Sequence, residues 1–239
     1  MNALARTGLA LAVICGLAEL LAGLGYRWDW WHFRTGIQIM RWSASADLAA
    51  VVLTLVAAVL AYRRGARGAL ATGIAGIALS LIVAGPPLYH WRLVDQLPRI
   101  HDISTDTEKP PAYVAVLPLR KGAENSTEYS AEVAPLQKKA YPDIVPTLLD
   151  VPPEQAYARA ERAARAMGWD IAAAVPGELR IEATDTTLLF GFKDDVVIRV
   201  SASGNGSRVD VRSLSRVGRS DFGVNANRVR KYLRQLAVG

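Results

Sequence analysis

Three apolar stretches dominate the first ninety residues and constrain this chain more than any other feature. They are GLALAVICGLAELLAGLGY (residues 8–26), ASADLAAVVLTLVAAVLAY (44–62) and GALATGIAGIALSLIVAGPPLY (68–89), and none carries lysine or arginine. A membrane-spanning helix needs about 20 mostly apolar residues. Backbone in hydrocarbon must satisfy its own hydrogen bonds, and a helix does so within one segment. Residues 1–92 therefore read as a membrane domain with three spans. A cleaved leader starting at Arg6 would fit the first stretch alone, with Ala22-Gly23 as small cleavage residues, but Glu19 interrupts it and two further spans follow. Cys15 follows Ile14, not a small residue, and reads as apolar packing rather than as a lipid-bearing thiol.

Arginine sets the orientation. The tight loop between the second and third spans holds Arg63, Arg64 and Arg67, so the positive-inside rule puts it in the cytoplasm, with Arg6 on the same side. Arg27, Arg34 and Arg41 oppose this, but Trp28, Trp30, Trp31, Trp42, Tyr26, Tyr89 and Trp91 share their side, as in an interfacial aromatic belt. The seven-residue arginine repeat suggests that residues 26–42 form a short helix lying in the interface. Three spans with an inside N-terminus place the rest of the chain on the far side. In a bacterial inner membrane that is the periplasm, and alanine- and arginine-rich usage favours a bacterial source.

Within the spans, Thr72, Gly76 and Ser80 repeat every four residues, with Ala69 and Gly73 beside them. Small residues so spaced let helix backbones approach closely. The stripe suits contact with a partner membrane protein or a second copy, or packing within the three helices. Glu19 reads as the only ionisable residue deep in a span, facing Thr54, Thr72 or Ser80 or carrying a proton; a transporter would carry more.

Beyond residue 92 the composition changes. The chain as a whole is 51% hydrophobic and 21% charged, with mean hydropathy +0.15 and one cysteine. That excludes disorder, an intramolecular disulfide framework and a Cys-based zinc site. Residues 199–239 hold nine basic residues against Asp210 and Asp221, a balance of +7, whereas residues 93–198 carry −6. The basic segment could meet phosphates or anionic headgroups, or be neutralised by the acidic half of its own domain.

Seven prolines between residues 93 and 150 exclude long helices and suggest an ordered, extended strap. Asp102, Ser104, Asp106 and Glu108 alternate near its start, a weak pattern for a hard cation and a good one for a polar turn. His101, Asp102 and Asp106 are the strap's candidate polar site.

Residues 151–239 read as an α+β domain, an antiparallel sheet packed against two helices. The first helix covers 153–167, with Ala156, Ala160, Ala163, Ala164 and Met167 as its buried stripe. Alternation predicts strands around 179–184, 196–201 and 208–212, the last two joined by a hairpin loop at Ser203-Gly204-Asn205-Gly206-Ser207, with further strands at 169–175 and 187–192. One sheet face should be apolar and the other polar and solvated. Asp194-Asp195 reads as a turn. The last helix runs from about 222 to 236, capped by Ser220 or Asp221, with Phe222, Ala226, Val229, Leu233 and Leu236 inward and Arg228, Arg230, Lys231 and Arg234 outward.

Five stretches carry a family resemblance: HDISTDTEKPPAYVAVLPLR (101–120), AYPDIVPTLL (140–149), MGWDI (167–171), ATDTTLLFGFKDDVVIRV (183–200) and VDVRSLSRVGRSDFGVNANRVRKYL (209–233). Residues 101–239 resemble the bacterial envelope family catalogued as domain of unknown function 1499, which has plastid and cyanobacterial members. Leu188-Leu189 stands where a bulkier aromatic is expected. The resemblance implies a compact domain and a bacterial envelope setting, and it brings no catalytic residues with it.

Chemistry is sparse. His101 is the only histidine beyond residue 92, no serine lies in a Gly-x-Ser-x-Gly elbow, and no phosphate-binding or dinucleotide motif is present. A hydrolase using His101 and Asp102 is the weakest of the readings considered. No cofactor or metal is expected, and no nucleic acid, because the basic residues lack aromatic platforms. Arg216, Gly218, Arg219, Ser220, Asp221 and Asn225 form the best polar constellation, at a strand-to-helix turn that suits an anion, a lipid headgroup or a partner, or serves as a helix cap. The leading expectation is a non-enzymatic inner-membrane protein whose periplasmic module binds a partner or assists assembly of a membrane complex. A module that binds a small anion or a lipid headgroup is the alternative.

Overall fold

A computed structural model describes residues 2–94 and 96–238. The chain divides into two compact units: Met1–Leu93 with Leu188–Gly191, and Val94–Thr187 with Phe192–Gly239.

The first unit is built on α1 (Asn2–Arg27), α2 (Phe33–Arg63) and α3 (Arg67–Val94), each long and apolar enough to cross a membrane. Small residues bring the helices together. Gly8 meets Thr54, Gly36 meets the Ala22 carbonyl, and Ser43 Oγ donates to the Cys15 carbonyl at 2.7 Å. The expected interfacial helix is not a separate element, because residues 33–42 are the first turns of α2. No proline breaks the chain there, and the Ser43 and Gly36 contacts hold that stretch against α1. At about 1.5 Å per residue the 31 residues of α2 are longer than a bilayer's hydrocarbon core is thick. Arg34 and Arg41 are exposed on it, and His32 caps it by accepting from the Arg34 amide. Trp28, Trp30 and Trp42 are exposed, while Trp31 turns inward and donates to the Ala22 carbonyl.

The small-residue stripe is used inside the bundle. A side chain at Gly76 or Gly73 would collide with α2 at Thr54 and Ala58, Ser80 donates to Asp47, and Thr72 bonds the Gly68 carbonyl of its own helix.

The second unit holds a six-stranded antiparallel sheet: β1 (Asp102–Ser104), β2 (Thr147–Leu149), β3 (Asp170–Val175), β4 (Arg180–Thr186), β5 (Lys193–Ser203) and β6 (Gly206–Ser215). The order is β1-β6-β5-β4-β3, and β2 shares the β6 edge with β1. The strap thus supplies two strands, together with the short helix α4 (Val133–Ala140) and a tight turn at Leu117–Arg120. Ser203 pairs with Gly206, which leaves Gly204 and Asn205 as a two-residue turn with Gly204 at φ +56°.

Helices α5 (Pro153–Ala166) and α6 (Val224–Val238) cover one sheet face. The alanine stripe of α5 lets it lie close to Ile181, Val196, Ile198, Val209 and Val211. Glu161 and Arg165 pair on its exposed side at 2.6 Å. Tyr232 is fully buried where α6 crosses α5: it donates to the Ala160 carbonyl at 3.1 Å and stacks on Trp169.

Four expectations need correction. Residues 187–192 are a loop between β4 and β5, not a strand. Asp194 and Asp195 are not a turn but lie buried within β5, the strand at the centre of the sheet. Arg228 is buried rather than outward. The second sheet face is not solvated, because the strap covers it: Tyr113 and Val116 pack on Val197 and Leu214. Interleaved with those residues are charges that the sequence pattern had assigned to water.

Candidate functional site

The polar residues of the second unit form a layer of buried ion pairs on both sides of the sheet. Strand alternation makes this possible, since neighbours in sequence face opposite ways. Asp195 faces the strap and Asp194 faces α6.

On the strap side Asp195 is fully buried and holds two guanidiniums. Arg216 reaches it in a bidentate pair at 2.7 and 2.9 Å, Arg120 pairs with it from the strap, and Thr184 donates its hydroxyl at 2.7 Å. Arg216 also donates to the Leu119 carbonyl, and Arg120 to the Asn125 carbonyl. Beside them Arg212 grips both Asp102 oxygens at 3.0 and 2.7 Å, lies between the Tyr113 and Tyr129 rings, and donates to the carbonyls of Pro111 and Thr127. Burial pushes the Asp102 carboxyl up and Arg212 pulls it back. Burial also pushes the Tyr113 hydroxyl well up. Glu182, fully buried, accepts the backbone N–H groups of Val114, Ala115 and Val116 and pairs with Arg180.

On the helix side Arg228 pairs with Asp194 at 2.6 Å and Asp185 at 2.7 Å, and bonds Asn225 and Ser213. Asn225 in turn donates to Ser215 Oγ and the His101 carbonyl. Asp221 accepts the amides of Gly223 and Asn225 and so caps α6. Burial raises the Asp221 carboxyl, and those amides oppose it. Of the 216–225 constellation, Arg216, Asp221 and Asn225 are thus engaged within the fold. Gly218, at φ +89°, forms the turn, Ser220 accepts from the Phe222 amide, and Arg219 is exposed.

The strap candidates separate. Both Asp102 oxygens belong to Arg212, whereas His101 Nδ1 lies 3.4 Å from the Arg219 carbonyl. Asp106 makes the expected polar turn, accepting from Glu108 and Lys109, and pairs with Arg199 and Arg208, which also hold Asp210. No cluster of three metal-ligating side chains occurs among the described residues. The basic C-terminal segment is neutralised largely from within: Arg199, Arg208, Arg212, Arg216, Arg228 and Arg230 all have carboxylate partners.

Asp106 makes the layer sensitive to acid. Partial burial works to raise its carboxyl, but the Lys109 and Glu108 amides and the Arg208 and Arg199 guanidiniums outweigh this and hold it below its ordinary 3.8. A carboxyl lowered on folding contributes stability above its unfolded pKa and loses it as pH falls through the folded one. Thermal midpoints of the full chain and of Asp106→Asn are therefore expected to differ most well above the ordinary 3.8 and to converge as pH falls through the lowered folded value. A gap independent of pH would show that the Asp106 charge contributes nothing.

In the first unit, Glu19 is joined by a second carboxyl within the long apolar helices, which the sequence pattern hides. Asp47 is fully buried on α2, and its Oδ1 accepts from Ser80 on α3 at 3.0 Å. Asp47 Oδ2 and Glu19 Oε1 are buried without a hydrogen-bond partner among the described residues. Thr54 and Thr72, expected beside Glu19, bond their own helices. Asp47 was legible as the one acidic residue in the second apolar stretch.

Fold and site together define a class: an α+β module, its charges paired internally, on a chain with three helices long and apolar enough to span a membrane. The model of the family described as "Protein of unknown function (DUF1499)" matches residues 102–236, more than half of the chain, and the chain belongs to that family. No curated protein matches it.

Proposed function

We propose that this chain is a non-enzymatic accessory protein of the bacterial inner membrane. Its three helices anchor the α+β module on the periplasmic side, where the module binds a protein partner and assists assembly of a membrane complex. The observation that carries this reading is the strap. Val114, Leu117 and Leu119 expose about half of their side chains. The backbone beneath them is pinned by Glu182 and by the Arg120–Asp195 pair. An apolar surface held rigid before binding loses little entropy when a partner covers it. The arginine loop at 63–67 supports the orientation. An anion site in the 216–225 turn is less favoured, because Arg216 is committed to Asp195.

Two measurements test this. A phosphatase fused after Gly239 is expected to be active in the periplasm, whereas a fluorescent fusion lit in the cytosol would overturn the orientation. A photo-crosslinking residue at position 119 in intact membranes is expected to give one discrete adduct that Leu117→Asp abolishes. Adducts that survive Leu117→Asp would remove the strap as the docking surface.

A further inference from the structure

The first unit includes four residues far from its helices in sequence, Leu188–Gly191. Two of their side chains are seated on the helical hairpin. Leu189 lies over Gly23 and Phe190 over Gly36, where any larger residue would collide with them. Phe190 is buried and its ring lies 6.4 Å from that of Tyr26. The backbone is held as well, since Arg27, the last residue of α1, donates to the Leu188 carbonyl at 2.7 Å. Leu188 itself is 89% exposed. A leucine on a backbone fixed in this way cannot retreat from water by rearranging the loop.

Its surroundings point to what covers it. Arg27 leads into Trp28 and Trp30, exposed aromatic residues whose rings lie 4.9 Å apart. Indole rings of this kind favour the headgroup level, where one part is apolar and another wet. Leu188 is therefore anchored to the residue that opens this aromatic patch, and it is more exposed than apolar helix residues such as Leu81, at 67%. Full exposure of a leucine in water forgoes the free energy that lipid contact supplies.

We infer that Leu188 inserts into the lipid bilayer, at the headgroup level marked by Trp28 and Trp30. The loop is then a lipid-contacting element of the first unit, and its ligand is the boundary between headgroups and acyl chains. This rests on the reading of α1–α3 as spans, and the test separates the two.

The full chain, with Cys15→Ala, is placed one copy per lipid nanodisc and spin-labelled at Leu188→Cys, Leu81→Cys or Leu148→Cys. Leu148, 68% exposed on β2, is the aqueous reference. All three positions are exposed, so the label displaces no core packing. Accessibility to oxygen, which concentrates in lipid, is compared with accessibility to a water-soluble nickel chelate. The oxygen-to-nickel ratio at 188 is expected to be several-fold above that at 148 and to approach that at 81. A ratio equal to that at 148 overturns the inference while leaving the spans intact. Position 188 closed to both probes also overturns it, by placing protein over the loop. Position 81 reading as water would overturn the spans themselves.

Discussion

Asp195→Ala is expected to destabilise the second unit by about 3–5 kcal/mol, because it leaves two guanidiniums buried without their countercharge. Arg120 and Arg216 both end on this carboxylate, one from the strap and one from the end of the β6 segment, and Thr184 donates to it from β4. The loss should appear as a lower thermal midpoint of the full chain and as new tryptic cleavage after Arg120, now buried. Asp195→Asn keeps an acceptor for Thr184 and for one guanidinium and is expected to lose less. Replacing Asp195, Arg120 and Arg216 together with apolar residues should recover part of the stability, since a buried ion cluster removed whole leaves no orphaned charge. An Asp195→Ala chain with an unchanged midpoint would show that water reaches this cluster freely.

Glu182→Ala should release the strap by a different route. Its two oxygens accept three consecutive backbone N–H groups, those of Val114, Ala115 and Val116, where the strap enters its turn at Leu117–Arg120. Leaving a buried donor unsatisfied costs about 1–3 kcal/mol, and only the Val116 bond is fully buried, so a loss of about 1–3 kcal/mol is expected. Hydrogen exchange gives the sharper reading. The amides of residues 114–116 should exchange fast in Glu182→Ala, while those of β5, held by ladder bonds on both sides, should stay protected. Glu182→Gln retains one carbonyl oxygen and should fall between the two. Protection at 114–116 that survives Glu182→Ala would mean that Tyr113 and Val116 hold the strap without it.

Both predictions concern residues whose importance was hard to see in the sequence. The three long apolar helices were legible because apolar length is a local property. So were the alanine stripe of α5, the Gly204-Asn205 turn, and the Asp221 cap, which each depend on residues within about two turns of one another. Asp194-Asp195 was misread as a turn because two adjacent carboxylates beside a lysine look solvated. Their partners lie on α6 and on a strap about 75 residues earlier in the chain. Arg228 was placed outward for the same reason: helical periodicity counts an arginine as polar and cannot see Asp185 and Asp194 beneath it. Asp47 was passed over because the apolar residues around it defined the span.

Hydropathy and periodicity alone determined where this chain can enter a membrane and where α5 and α6 coil with their apolar stripes inward, because those properties are settled over a few residues. Tertiary structure decided what happens to charge. Whether an aspartate on a strand meets water or arginine depends on which distant segment lies over it. Here the proline-rich strap lies over the second sheet face, and a row of residues patterned for solvent becomes an ion-paired interior.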